Sequence, residues 1–348
     1  MVSWLLRESG AQHPTSAKRF ECGVYGALTF IPQKADYDVA YKRLEFECVH
    51  ESERMPSVPP DAEPLYRYGL HLTQLKGPKD FDKAARYFRI AAAIGDYRAA
   101  TNLQKLLSQG MTAAEHPARE TINLVEEFMA QGIPGAFYDM GHYLELGYGL
   151  RQDVEAARYY FRRAADMGNP SAQYYVADML ARIGNVGDVA HSMMRCAMEQ
   201  GHAEAAADVG TSEQIRHNYT DAAFAYQAAV KAGDSASATV LAKAFSKDQQ
   251  INAPDSFALG MDSERARRYR IIAGFIRRYE HVGGKVPDID LIVPLPPAKL
   301  PDWDETFEWK RKRDAAAPPS PPSEELIARM CEKKGLDPAT GWPLSGLR

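Results

Sequence analysis

AARYYFRRAADMGNPSAQYYVADML, residues Ala156–Leu180, decides the fold. Alanine and aromatic residues recur at helical spacing up to Gly168, and a second amphipathic run starts immediately after it. AARYFRIAAAIGDYRAATNL (Ala84–Leu103) repeats the pattern around Gly95. Five glycines, Gly95, Gly132, Gly168, Gly201 and Gly233, fall at gaps of 37, 36, 33 and 32 residues. A period in this range belongs to stacked helical hairpins. Each glycine reads as a helix C-terminal stop, where positive φ disfavours a residue with a Cβ.

Within one hairpin, Ala136–Leu146 reads as the first helix and Gly147-Tyr148-Gly149 as the turn, with Asp153 as N-cap of the second helix. Gly141 and Ala172 mark close helix crossings. Pro64–Leu75 pairs with Phe81–Ile94 as the first hairpin. The expected class is all-α: an α-solenoid with an irregular N-terminal flank and an extended, proline-rich C-terminal tail packed on it. The expected divisions are a flank at 1–63, the solenoid at 64–245, a loop and capping helix at 246–284, and the tail at 285–348. In the flank, Cys22–Ile31 reads as extended, Asp36–His50 as helical and Met55–Pro64 as a linker. Asp248–Leu259 reads as a loop. Ser263–Glu280 reads as an amphipathic cap, with its arginines on a charged outer face. Eleven of the 22 prolines lie in the last 64 residues, so extended backbone is expected there. The apolar Ile289, Trp303, Phe307 and Trp309 imply that this backbone drapes over the solenoid, and Ser323–Lys334 reads as a short helix.

A net charge of −4 gives no electrostatic reason for a nucleic-acid partner. No apolar run is long enough to span a membrane. MVSWLLRESG is not a secretory leader, which leaves a cytoplasmic protein or a trimmed mature form. The four cysteines form no C-x-x-C pair. Cys196 reads as a buried thiol of a repeat core. Cys22 and Cys48, both in a Phe-Glu-Cys context, are a possible disulfide.

Met140-Gly141-His142-Tyr143, Gly147-Tyr148-Gly149, Asp153 and Ala156 through Gly168 together resemble the Sel-like repeat, a relative of the tetratricopeptide repeat. The tail, Val286–Leu344, resembles that of a bacterial group of Sel-like proteins that accompany type VI secretion lipase effectors, in particular phospholipase D toxins. That resemblance implies a periplasmic immunity protein that binds its toxin and occludes the active site. The alternative is a Sel-like scaffold for envelope or signalling complexes.

Catalytic signatures are missing from the sequence. There is no G-x-S-x-G, no H-E-x-x-H, no P-loop and no His-x-Lys pair of the phospholipase D kind. The expectation is therefore a binding protein without cofactor or metal. Tyr143, Tyr148 and Tyr174 are candidate partner contacts, with Tyr143 and Tyr174 on first helices that would line a concave face; the alternative is that these tyrosines are inter-repeat core. Asp302, Trp303, Asp304 and Trp309 are candidates in the tail. His142 reads as an inter-repeat hydrogen-bonding residue, and Asp288 with Asp290 as caps or solvated acids more readily than metal ligands.

Overall fold

The computed structural model describes residues 45–182, 187–246 and 259–344. The chain divides into two units, Met1–Glu47 and Cys48–Arg348, and the helical hairpins all belong to the second. The readings for Cys22–Ile31, for Asp36–Leu44 and for most of Asp248–Leu259 lie outside the described residues, as does Cys22.

Twelve consecutive helices pair as six hairpins. They are α1 (Ala62–Gln74) with α2 (Phe81–Ala93), α3 (Tyr97–Ser108) with α4 (Pro117–Ala130), and α5 (Pro134–Leu146) with α6 (Val154–Asp166). Next come α7 (Pro170–Ala181) with α8 (Gly187–Glu199), α9 (Ala203–Ile215) with α10 (Tyr219–Ala232), and α11 (Ser235–Ser246) with α12 (Ser263–Tyr279). The helix read as a cap is thus the second arm of a sixth hairpin, whose long turn hid it from the glycine spacing.

Each of the five glycines has positive φ, from +76° at Gly132 to +108° at Gly95 and Gly233. The residue after each glycine donates its N–H to the carbonyl five residues back, as in Asp96 to Ala91, Asn169 to Ala164 and His202 to Ala197. That closes the preceding helix in a Schellman motif. In four of the five cases the same residue then caps the next helix. Asp96 accepts from the Ala99 N–H, Asn169 from Ala172, His202 Nδ1 from Ala205 and Asp234 from Ser237. One dipeptide therefore ends one helix and starts another. After Gly132 the cap position is Ile133, and Pro134 at N1 supplies the start.

Inside the hairpins a missing side chain sets the spacing. A Cβ on Gly69 would lie 2.8 Å from the Phe88 ring, one on Gly141 2.6 Å from Phe161, and one on Gly210 2.9 Å from Tyr226. In hairpins one, three and five an aromatic ring of the second helix thus sits against bare backbone of the first.

The two turn edges of the stack are treated differently. Along the glycine edge runs an N-terminal strap. Cys48 is disulfide-bonded to Cys196 of α8. Gln173 donates to the Val49 carbonyl at 2.9 Å, Gln200 accepts the Glu51 N–H at 2.7 Å, and Asn169 donates to the Glu51 carboxylate. Glu51 and His50 backbone lies where a Cβ on Gly168 would be, and Pro59 reaches Gly95. Cys48–His50 is therefore extended rather than helical, because strap backbone groups are taken by side chains of the stack. The Cys22–Cys48 pairing and the free thiol at Cys196 are both overturned by the Cys48–Cys196 bond. Sequence position could not show it, because the strap runs back over the repeats and closes a separation of 148 residues.

The tail docks on the last hairpin through two arginines. Arg268 donates to the Ile292 carbonyl at 2.8 Å, while Arg265 donates to the carbonyls of Pro294 and Ala298. Both are buried, so the α12 arginines are not a uniformly charged outer face, because two of them are the sockets for extended tail backbone. Asp290, in α13 (Ile289–Ile292), accepts from Gln227 and Lys231. Beyond α14 (Glu308–Ala315), the chain returns to the opposite end of the stack as α15 (Glu324–Lys334). There Ile327, Met330, Cys331 and Leu336 join the core of the first hairpin. Arg86 holds the Pro338 carbonyl at 2.6 Å. Trp342 lies 5.2 Å from the Arg89 guanidinium, which makes a two-point ion pair with Glu120 at 2.6 and 3.2 Å.

Gly168→Ala is expected to lower the urea midpoint well beyond Gly201→Ala. Both incur the left-handed backbone cost of about 1–2 kcal/mol, but only at Gly168 does a methyl collide with strap backbone, at 2.7 Å. Glu120→Ala strands the Arg89 charge, which is 7% exposed. It should cost about 3–5 kcal/mol in equilibrium unfolding, and Glu120→Ala with Arg89→Met should recover much of that.

Candidate partner-binding surfaces

The first helices lie next to one another, and tyrosines on one donate to acids or amides on the next. Tyr97 of α3 donates to Asp139 of α5 at 2.7 Å, and Tyr143 of α5 donates back to Gln104 of α3 at 2.9 Å. Tyr175 of α7 donates to Glu145 of α5 at 2.6 Å, and Tyr174 of α7 to Asp208 of α9 at 3.1 Å. His142 packs edge-on against Phe161 and Tyr175, with ring centroids 4.8 and 5.5 Å away. Burial lowers its pKa, as it does that of His202, whose ring faces Tyr174. The burial of Tyr174 and the Asp208 carboxylate beside it push its phenol up to about 12.

These contacts place the candidate tyrosines. The hydroxyls of Tyr143 and Tyr174 are committed between helices, and their rings are partly exposed. Tyr148, in the turn after α5, lies 5.4 Å from the Tyr143 ring. The tail candidates lie on the sixth hairpin instead. Trp303 donates its indole N–H to the Thr306 carbonyl, meets Phe307 edge-on and lies under Arg268. Trp309 packs against Phe275 and Tyr279. Asp304 accepts from the Thr306 N–H and hydroxyl, and Asp302 is exposed. The tyrosine and tryptophan candidates therefore sit on different hairpins and form two patches. Asp288 and Asp290 do not converge as ligands, since Asp288 accepts the Glu308 N–H and Asp290 faces α10.

A third surface escaped the sequence reading. On the edge opposite the strap, the turns from first to second helix expose aliphatic side chains. Leu146 is 72% exposed, Ile215 73% and Met261 67%, with Leu75, Met111 and Val154 less so. Five of the six turns carry at least one, and the fourth lies outside the described residues. Single exposed aliphatics are ordinary on a protein surface, and Phe224, Leu291 and Leu344 are exposed elsewhere, but the aliphatics at these turns share one edge and make it a candidate contact surface. These residues lie in the turns or at the helix ends that flank them, so their recurrence shows only once the helices are stacked.

No helix among the described residues is long and apolar enough to cross a membrane. The fold is a helical-hairpin solenoid of the Sel1 kind, and the Sel1 repeat matches residues 65–96 and 136–169. Residues 237–344, the sixth hairpin and the tail, match a domain of unknown function (DUF6396). No curated protein matches the chain. Among solved structures, the immunity protein PA5088 from Pseudomonas aeruginosa is similar at 24% identity and a TM-score of 0.59, over 72% of this chain and 94% of that one. The immunity protein Pa5087 from the same organism is similar at 22% identity and a TM-score of 0.57, over 73% and 95%. Pseudomonas aeruginosa PA5086 is similar at 23% identity and a TM-score of 0.56, over 72% and 95%. At these identities the likeness establishes a shared fold.

Burial raises the Asp139 pKa to about 6, against lowering contributions from Tyr97 and Gln104. Between about pH 4 and 6 the folded chain keeps a proton that the unfolded chain has released. This group's contribution to stability therefore falls as pH rises through that window, by on the order of 2–3 kcal/mol. Asp139→Asn should remove that slope, read from urea midpoints at pH 4.5 and 7.

Proposed function

We propose that the chain is an immunity protein that binds a phospholipase D-type type VI effector and silences it by covering its active site. The observation that carries this reading is the asymmetry of the stack. The glycine edge is occupied by the chain's own strap, whereas among the described residues the aliphatic side chains at the opposite edge are exposed and the first-helix tyrosines partly so. The open edge presents aliphatic anchors, and the adjoining face presents tyrosine rings and carboxylates. Occlusion requires a rigid surface with a few desolvated anchors and no catalytic group of its own. The solenoid, tied at its glycine edge, supplies that rigidity. Two relatives of like fold carry the name immunity protein, and the tail resembles that of toxin-associated Sel-like proteins.

On this reading Leu146, Ile215, Tyr148 and Tyr174 lie in the interface. Trp303 and Trp309, already docked on α12, fix the end of the platform, and exposed Asp302 flanks it. The chain acts in the periplasm, where its Cys48–Cys196 bond would form readily.

The test pairs the purified chain with the phospholipase encoded beside its gene. Binding in the nanomolar range and loss of phospholipid hydrolysis at one equivalent are expected. Leu146→Asp with Ile215→Asp should weaken binding by about 100-fold or more with an unchanged melting temperature. Capture of several envelope proteins with no effect on the lipase would replace this reading with a scaffold.

A further inference from the structure

At the start of the strap, more donors converge than a disulfide uses. Cys48 and His50 stand two residues apart on the non-helical strap, with φ −96° and ψ 137° at His50. Cys196 and Glu199 stand three residues apart in the last turn of α8, on one face of that helix. The two segments meet. The Cys48 and Cys196 sulfurs and a His50 ring nitrogen all lie within 4.8 Å of one another. Glu199 Oε2 is 3.6 Å from His50 Nε2 and 3.9 Å from Cys48 Sγ. Two sulfurs, one imidazole and one carboxylate are the donors of a tetrahedral zinc site. In such a site, ligand atoms about 2.0–2.3 Å from one ion stand roughly 3.3–3.8 Å apart. The His50–Glu199 and Cys48–Glu199 separations approach that, and Glu199, which lies outside the 4.8 Å group of the two sulfurs and the His50 nitrogen, would complete the set by a side-chain movement.

We propose that Cys48, His50, Cys196 and Glu199 form a zinc site when the Cys48–Cys196 bond is reduced, so that the strap is clamped in either redox state. A dithiol reductant gives two electrons and two protons to the disulfide, yielding two cysteine thiols and the reductant's own disulfide. Zinc then displaces the two thiol protons and binds both thiolates with the imidazole and the carboxylate. Oxidation reverses this: the sulfurs give up the ion and two electrons to the oxidant. The remaining imidazole and carboxylate are too weak a pair to retain it. The ligands span strap and α8, so the metal does by coordination what the disulfide does covalently, which is to hold Val49 and Glu51 on Gln173 and Gln200. This proposal does not depend on the immunity reading, since its probe is a metal ion and not a toxin.

The experiment uses the full chain carrying Cys22→Ser, reduced with a phosphine under nitrogen, freed of reductant and titrated with Co2+. One equivalent should bind, with a sulfur-to-cobalt charge-transfer band and the visible bands of a tetrahedral ion, and Zn2+ should displace it. The same protein left oxidised should show neither band. Cys196→Ala should abolish the charge-transfer spectrum, and His50→Ala or Glu199→Gln should weaken Co2+ binding by about tenfold or more. Reduced protein that gives no thiolate charge-transfer band overturns the proposal. So does a spectrum unchanged by Cys196→Ala, or one that persists in the oxidised chain. The comparison of reduced and oxidised protein needs no ligand substitution, so a variant that misfolds leaves the answer intact.

Discussion

Close approach of paired helices, where one of them lacks a side chain, governs the architecture. Phe88, Phe161 and Tyr226 occupy the space that Gly69, Gly141 and Gly210 leave bare. A methyl group at any of these glycines would meet the facing ring at under 3 Å and force the paired helices apart. The same economy of volume appears in the alanines that fill the core, Ala84, Ala85, Ala99, Ala100, Ala164 and Ala165. Small residues bring backbones together, and in hairpins one, three and five an aromatic ring fills the space the glycine leaves.

The turns transmit that geometry. Glycine at positive φ ends a helix, and in four of the five turns the next residue, hydrogen-bonded backward through its N–H and forward through its side chain, launches the following one. The angle between hairpins is thereby set by two residues and not by a flexible loop. This lets tyrosines on one first helix reach acids on the next with regularity, and it keeps the open edge in line.

The repeats were legible in the sequence because glycine conformation and helical period leave a local mark. Gly141 as a close-contact residue and Asp153 as a cap were readable for the same reason. The sixth hairpin was obscured, since its long turn breaks the spacing. What could not be read was set by chain return. Cys48 meets Cys196, Arg265 and Arg268 meet tail carbonyls, and Trp342 covers Arg89, each across a separation that no local pattern encodes. The candidate tyrosines were recognisable as a group, but their hydroxyl partners lie on neighbouring helices. The exposed aliphatics of the open edge were invisible individually. Only parallel stacking of the first helices brings their turns to one side.

The return of the tail to the first hairpin changes the kind of object the stack is. An ordinary solenoid behaves as a linear chain of nearest neighbours, and its two terminal repeats fray because each lacks one contact. Here a proline-rich bridge at residues 316–323, able to reach roughly 25 Å if extended, joins the sixth hairpin to the first. The row of repeats becomes a closed circuit in which no hairpin is terminal. Each end of the row therefore has a part of the tail packed into its core, where an ordinary solenoid would present a bare face. A surface carried on such a circuit is braced at both ends by the same tail.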